Sequence, residues 1–414
     1  MIEKATQEKS EELINLFGSP LFIFDEKLFI EKIKDVKEAF NREYGNFKLA
    51  YSFKTNYLVR VCKLAFKENV LAEIISGFEY DIAKLIGYDG KNIIINGPYK
   101  PYEELIKYVK DSCIINVDNK EELDRLNTIS KELKRTIKIG IRVNSKIGEM
   151  PWSKFGFSLD NGDALSIVNE IINNYPNLRL SGFHLHIGTN ISNPIYYKKA
   201  ILNLLLFIRE VERLNIDIAY IDLGGGFPSK DACPLNENLE EWNKKINFSD
   251  FVNSICEPLN RYYNGREKPI LILEPGRLLI DESFSLISKV FSVKNISGIN
   301  SIFIDAGVNI IPSAYYRKHK IETFSEEPLE LTDIYGPLCM QVDLIESGIK
   351  LPKLKEGDIL IIKNVGAYEL TQSMQFIRER SPIVSISSDG KISLCRRKET
   401  YKDILQCELE VKNE

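Results

Sequence analysis

The sequence predicts an α/β fold, a closed (β/α)8 barrel followed by a mostly antiparallel β domain. Three observations carry this. Short apolar runs alternate with charged segments of helical periodicity about eight times over roughly 250 residues, the count of a closed barrel. After Glu274 that rhythm stops, and β-rich runs separated by Gly, Pro, Asn and Lys take over. The ends of most of the early runs carry polar residues of catalytic type, and barrel enzymes place their chemistry at the carboxyl ends of strands. An open doubly wound sheet is the competing arrangement for alternating elements.

Taken in order, residues 1–18 read as a polar helix, ended by the punctuation Gly18-Ser19-Pro20. Leu21-Phe22-Ile23-Phe24 is a short strand outside the barrel count, available to the second sheet. Barrel strands are expected at Phe47–Ser52, Val70–Ile75, Asn92–Ile95, Cys113–Asn116, Ile137–Val143, Leu178–His186, Ala219–Leu223 and Pro269–Glu274. Tyr102–Val109 typifies the helices between them. The segments near Asn161–Tyr175 and Asp231–Tyr263 are over-long and suggest insertions. Further strands are expected at Ser283–Val293, Ser301–Asp305, Asp358–Ile362 and Lys391–Cys395. The expected division is an N-terminal segment (1–27) whose strand joins the C-terminal β domain, the barrel (28–280), and the β-rich domain (281–414).

Composition narrows the function. The chain has 414 residues, 44% hydrophobic and 28% charged, with a net charge of −4. That balance gives no electrostatic case for nucleic acid or an anionic membrane. No stretch approaches the roughly 18 apolar residues that span a bilayer, and the N-terminus lacks the apolar core of a signal peptide. Seven cysteines without a CxxC pair indicate a reducing, cytoplasmic setting without disulfides or a cysteine zinc site. Three histidines, His184, His186 and His319, are too few and too badly spaced for an HExxH-type metal site.

Within the expected barrel rim, Lys54 closes the buried run Phe47–Ser52. Burial lowers an amine's pKa, and a neutral amine can trap an aldehyde as a Schiff base. The plainer alternative is a lysine that snorkels to solvent. Gly224-Gly225-Gly226 offers backbone N–H groups that approach a phosphate closely, or else a simple tight turn. Arg277 offers a guanidinium fork and Thr189 a hydroxyl. A phosphate anchor with an aldehyde-trapping lysine points to pyridoxal 5′-phosphate. Glu274 can then face the pyridine nitrogen and keep it protonated, where the alternative is an ion pair with Arg277. His186 can stack on the ring. For His184, core packing or a local hydrogen bond is the expectation.

At this point the chain resembles the fold-type III (alanine racemase-like) pyridoxal phosphate decarboxylases of diaminopimelate, ornithine and arginine. The matching motifs are Tyr51–Asn56, Ser76-Gly77-Phe78-Glu79, Lys154-Phe155-Gly156, His184–Thr189, Asp222–Pro228, Glu274–Arg277, Gly336-Pro337-Leu338-Cys339 and Gly366-Ala367-Tyr368, in family order from about residue 20 to 385. The resemblance implies a homodimer with shared active sites. It implies Lys54 in the Schiff base, His186 on the ring, and Gly224, Gly225, Gly226, Arg277, Tyr368 and Thr189 around the phosphate. It places Glu274 at the pyridine nitrogen and Cys339, from the partner subunit, as proton donor to the carbanion. On its own, Cys339 reads as an inert buried thiol.

Two departures bear on substrate. Relatives usually carry Asp or Glu after the cysteine; this chain has Met340. Diaminopimelate decarboxylases carry Arg-Pro-x-x-Tyr; this chain has Ile311-Pro312-Ser313-Ala314-Tyr315. With Arg277, Tyr315, Met340 and Tyr368 as substrate contacts, the expected substrate is a modified or carrier-tethered amino acid, because an unpaired ammonium or carboxylate is costly to desolvate. The tail from Gly366 to Phe376 also resembles decarboxylases of natural-product clusters. The alternatives are diaminopimelate decarboxylase, a racemase (disfavoured by Glu274), a catalytically silent regulatory homologue, and a barrel enzyme for another phosphorylated substrate.

Overall fold

A computed structural model describes residues 6–148 and 154–409; residues 1–5 of the expected first helix lie outside the described residues. The chain divides into two compact units. One comprises Ile30–Pro228 and Lys245–Leu279; the other gathers the residues before Ile30, Ser229–Lys244, and those from Ile280 on.

The first strand, β1 (Leu21–Asp25), belongs to the second unit. The first unit is built on β2 (Phe47–Ser52), β3 (Leu71–Ile74), β4 (Ile93–Ile95), β5 (Ile114–Val117), β6 (Ile137–Asn144), the two-residue β7 (Phe157–Ser158), β8 (Leu178–Leu185), β9 (Tyr220–Asp222) and β10 (Ile270–Leu273). The order β5-β4-β3-β2-β10-β9-β8-β6, with β5 paired to β6, closes an eight-stranded barrel, and β7 pairs only with β6. Every pairing is parallel. Strands covered on both faces read as continuous apolar runs, which is why Ile93-Ile94-Ile95 is wholly buried. The intervening helices show one apolar face; Tyr102–Lys110 buries Leu105, Tyr108 and Val109. Side chains cap several of them. The Ser76 hydroxyl accepts from the Glu79 N–H, and the Asn119 carbonyl accepts from the Glu122 N–H.

Register sets the barrel interior. Asn116 pairs with Gly140, Gly140 with Gly182, and Gly182 with Tyr220, so these four share one level. A Cβ on Gly182 would sit 2.6 Å from the Tyr220 ring, and one on Gly140 would sit 2.0 Å from its hydroxyl. The two missing side chains make the room that the tyrosine fills. Two residues further along the strands, Arg142 pairs with His184 and His184 with Asp222, a level of ionisable groups just above.

The second unit contains β11 (Phe284–Ile296), β12 (Ile299–Ile304), β13 (Ile321–Thr323), β14 (Leu329–Tyr335), β15 (Leu344–Pro352), β16 (Ile359–Lys363), β17 (Ile383–Ile386) and β18 (Ile392–Arg396). Their order is β15-β14-β12-β11-β1-β17-β18, with β16 on both β11 and β13. Most pairs are antiparallel; β1–β17 and β12–β14 are parallel. The helix Gln7–Phe17 lays Leu13 and Ile14 on Leu21, Ile23, Ile287, Ile359 and Val384.

Strands β13, β14, β15 and β17 escape the sequence reading. β14 and β15 are buried only in short patches and carry Glu330, Asp333, Glu346 and Gly348, so they lack a continuous apolar run. Of the two over-long segments, the first is the helix Asp163–Asn174, preceded by the short β7. The second splits, with Ser229–Lys244 grouped in the second unit and Phe248–Tyr262 an ordinary barrel helix.

Gly182→Ala should force the Tyr220 ring to move. Overpacking of this kind costs about 1–3 kcal/mol, so urea unfolding should show a lower midpoint with an unchanged slope.

Candidate active site

Lys54 lies in a 3-10 turn, Phe53–Thr55, directly after β2. Phe53 and Thr55 are buried on either side of it, which turns the lysine to the rim with 36% of its side chain exposed. Thr55 fills the space beside Gly276, where a Cβ would stand 1.9 Å from the threonine hydroxyl. The Lys54 amine donates to Oε2 of Glu73 at 2.7 Å. Glu73 is 1% exposed, in the middle of β3 and in register with Ser52. Its other oxygen, Oε1, accepts from the Asn96 amide at 3.1 Å.

Glu274 follows β10. Its Oε1 accepts from Asn96 Nδ2 at 2.7 Å, and its Oε2 lies 3.4 Å from His184 Nε2. Donor atoms of His184, Asp222 and Glu274 all lie within 4.8 Å of one another, and all three residues are buried. Two carboxyl groups this close share a proton. Burial works against charge on Glu274, yet His184, Asp222 and Lys54 outweigh it and hold the group below the ordinary carboxylate range. Burial, and then the charge of Glu274, push Asp222 well above that range. The pair is one proton on Asp222 and one negative charge on Glu274. His184, expected only to pack or make a local bond, faces that charge.

The glycine triplet lies after β9. Gly224 and Gly226 have φ of +62° and +91°, a region that favours glycine. A Cβ on Gly224 would strike His186 Nδ1 at 2.5 Å, and one on Gly225 would strike the Glu274 carbonyl at 2.6 Å. The Gly225 N–H donates to His186 Nδ1 at 3.0 Å, so the ring accepts there and the neutral imidazole carries its proton on Nε2. The Gly224 N–H donates to Asp222 at 2.9 Å. Two of the three backbone donors expected to cradle phosphate are therefore engaged by side chains, and close packing alone requires glycine at these positions. Burial, then the charges of Arg142 and Lys54, hold His186 well below its ordinary pKa, so this half-buried ring is neutral.

Arg142 is buried 3.8 Å from Asp118 and 4.4 Å above the Phe155 ring. Arg277 is buried and opens the short helix after Glu274, while Thr189 is exposed. Lys54, His186, Gly224, Gly225, Gly226, Glu274 and Arg277 thus belong to one unit. The sequence reading passed over Glu73 and Asn96 in that unit. The signals were an acid inside the apolar run Leu71–Ile74 and an amide directly after Ile93–Ile95.

The remaining candidates belong to the second unit. Asp343 builds the loop that carries Cys339 and Met340. Its carboxylate accepts from the Val308 and Leu338 N–H groups at 2.8 and 2.7 Å, and it occupies the place a Cβ on Gly336 would need. Cys339 is exposed, not the buried thiol of the plainer reading, and Met340 is half-buried. Tyr315 is 43% exposed, whereas Ile311 is fully buried. Tyr368 adopts φ of +81°, rare for a side chain of its size. It is held there by its neighbours. Ala367 N–H donates to Asp281, and Glu369 takes a hydrogen bond from Arg317 at 3.0 Å.

Known proteins resemble this chain along most of its length. Residues 28–281 match the family model of the pyridoxal-dependent decarboxylase, pyridoxal binding domain. The diaminopimelate decarboxylase of Methanothermobacter thermautotrophicus is 30% identical, over 95% of this chain and 92% of its own length. A crystal structure of the diaminopimelate decarboxylase of Methanocaldococcus jannaschii superposes with a TM-score of 0.87 at 29% identity, covering 96% of this chain and 94% of that one. A Vibrio vulnificus lysine/ornithine decarboxylase shares the fold, with a TM-score of 0.76 at 21% identity and coverage of 93% and 99%. The chain belongs to the family of pyridoxal-dependent decarboxylases.

The depressed His186 pKa has a sign in stability. The unfolded chain takes up this proton first as pH falls below about 6.5, so stability should be lost from there down toward the folded-state value. The slope for one proton is about 1.4 kcal/mol per pH unit. Urea unfolding of the cofactor-free chain and of His186→Asn between pH 7 and 5 should therefore diverge, the wild type falling faster. Parallel curves would show that His186 titrates normally.

Proposed function

We propose that this pyridoxal-dependent amino-acid decarboxylase acts on diaminopimelate. The observation that carries the reading is likeness along nearly the whole chain to relatives of that name. A modified or carrier-tethered amino acid, the substrate class favoured by the sequence, is the second reading, and Met340 supports it. Ile311 supports it less, because its side chain is core packing inside the second unit and not a displayed apolar contact.

The residues present fit pyridoxal phosphate. The fit rests on three groups of one unit: the Lys54 amine at the rim, the ionised Glu274 beneath, and the neutral His186 ring fixed by a backbone N–H. When bound, the cofactor supplies an electron sink for the pair released as the α-carboxylate leaves as CO2. Lys54 would hold the cofactor through its amine. The attacking form of an amine is the unprotonated one, and Glu73, 2.7 Å away, is placed to take and return that proton. Glu274 would support a positive charge on the ring nitrogen. His186 would lie against the ring without adding charge of its own. Arg277, Tyr368, Thr189 and the Gly224–Gly226 backbone would hold the phosphate, with Gly226 carrying more of the load than its two neighbours. Cys339, supplied by a second copy of the chain, would return a proton to the α-carbon. Tyr315 and Met340 line the distal end of the substrate.

Borohydride reduction of the cofactor-loaded protein should fix one label per chain on Lys54, read by peptide mass mapping; a label on another lysine would remove Lys54 from this role. Free diaminopimelate should release CO2 faster than other free or carrier-loaded amino acids. If only a tethered substrate reacts, the second reading replaces the first.

A further inference from the structure

Asn96 follows β4 and is 3% exposed. Its amide nitrogen donates to Glu73 at 3.1 Å and to Glu274 at 2.7 Å. These two carboxylates serve different parts of the chemistry. Glu73 holds the lysine amine; Glu274 is the charge of the His184–Asp222–Glu274 cluster. One side-chain NH2 group has two hydrogens and no acceptor capacity, so a single amide meets both acids.

The amide has one consistent orientation. Ionised carboxylates only accept, so the Asn96 nitrogen faces them and its oxygen faces away. That oxygen accepts from Asn116 Nδ2 at 2.9 Å, and the Asn116 oxygen accepts from the Tyr220 hydroxyl at 2.7 Å. All three residues are buried, and every donor in the chain points toward the carboxylates. Tyr220 is itself seated by Gly140 and Gly182, where a Cβ would collide with it. Burial, followed by the Asp222–Glu274 pair with its shared negative charge, keeps its hydroxyl protonated and therefore a donor.

We propose that Asn96 is a positioning residue for decarboxylation that holds Glu73 and Glu274 charged together, with Asn116 and Tyr220 orienting its amide. The proposal rests on the pyridoxal-dependent reading. The charged and titratable groups around the two acids are Lys54, Glu79, Arg142 and Asp222 near Glu73, and His184, His186, Asp222, Arg142, Lys54 and Tyr220 near Glu274. None of them bridges the two acids as the Asn96 amide does. Without it each acid loses a buried donor, which favours its protonated form. A neutral Glu274 no longer supports a proton on the ring nitrogen, and a neutral Glu73 no longer supports one on the Lys54 nitrogen.

The test uses the cofactor-loaded full-length protein and two readouts that are independent of turnover. The chemical shift of a 15N-labelled ring nitrogen against pH reports the Glu274 side. Cofactor absorbance against pH reports the proton on the Lys54 nitrogen. In Asn96→Leu both midpoints should fall together by about one pH unit, a tenfold change in each proton equilibrium. Tyr220→Phe keeps the ring and should move both in the same direction by less. A folded Asn96→Leu protein with both midpoints unmoved, or with only one moved, overturns the proposal. If Asn96→Leu does not fold, Tyr220→Phe decides by the same criterion. Failure of the wild type to load cofactor would instead count against the pyridoxal-dependent reading.

Discussion

A charge buried among apolar strands must be met by donors, and the barrel is arranged around two such charges. An uncompensated buried carboxylate costs several kcal/mol. Glu73 and Glu274 are both almost fully buried, so the side chains nearest them are polar by necessity: Ser52, Lys54 and Asn96 for the first, Asn96, His184 and the protonated Asp222 for the second. The lysine at the rim and the acid beneath it are two ends of one connected network. Moving either group means leaving the other unsatisfied.

The network needs space as well as partners, and glycine supplies it. Gly140 and Gly182 admit the Tyr220 ring; Gly224 and Gly225 admit the His186 ring and the Glu274 backbone; Gly276 admits Thr55. The same device appears in the second unit, where Gly336 yields its side-chain volume to the Asp343 carboxylate and so shapes the loop of Cys339. A glycine-rich motif can look like a ligand cradle for this reason alone. In the triplet the first two N–H groups already serve Asp222 and His186, and the motif's first physical role is to let His186 and the Glu274 backbone approach the loop.

Ionisation follows from the same packing. Two buried carboxyl groups this close cannot both be charged, and the one with more donors keeps the charge. Glu274 has Asn96, His184 and the Asp222 proton, while Asp222 has a backbone N–H. His186, near Arg142 and Lys54 and partly buried, gives up its proton for the complementary reason. One acid is therefore charged, one is protonated and the imidazole is neutral.

Much of this was legible in the residues. Apolar runs of strand length alternating with amphipathic helices determined the barrel, and the break in rhythm after Glu274 determined a second, β-rich part. The rule that chemistry sits at strand ends located Lys54, His186, the glycine triplet, Glu274 and Arg277, because strand ends are local properties of sequence. The same rule applied to the ends near Ile95 and Asn116 would have reached Asn96 and Asn116. What sequence could not decide was which polar groups meet. Asn96 touches Glu274 across 178 positions of sequence and Tyr220 reaches Asn116 across 104, contacts created only when parallel strands close into a barrel in one register. Exposure was equally out of reach. Cys339 is exposed and Ile311 buried because Asp343 folds one loop and core packing claims the other position, and those outcomes depend on neighbours that only the tertiary structure brings together.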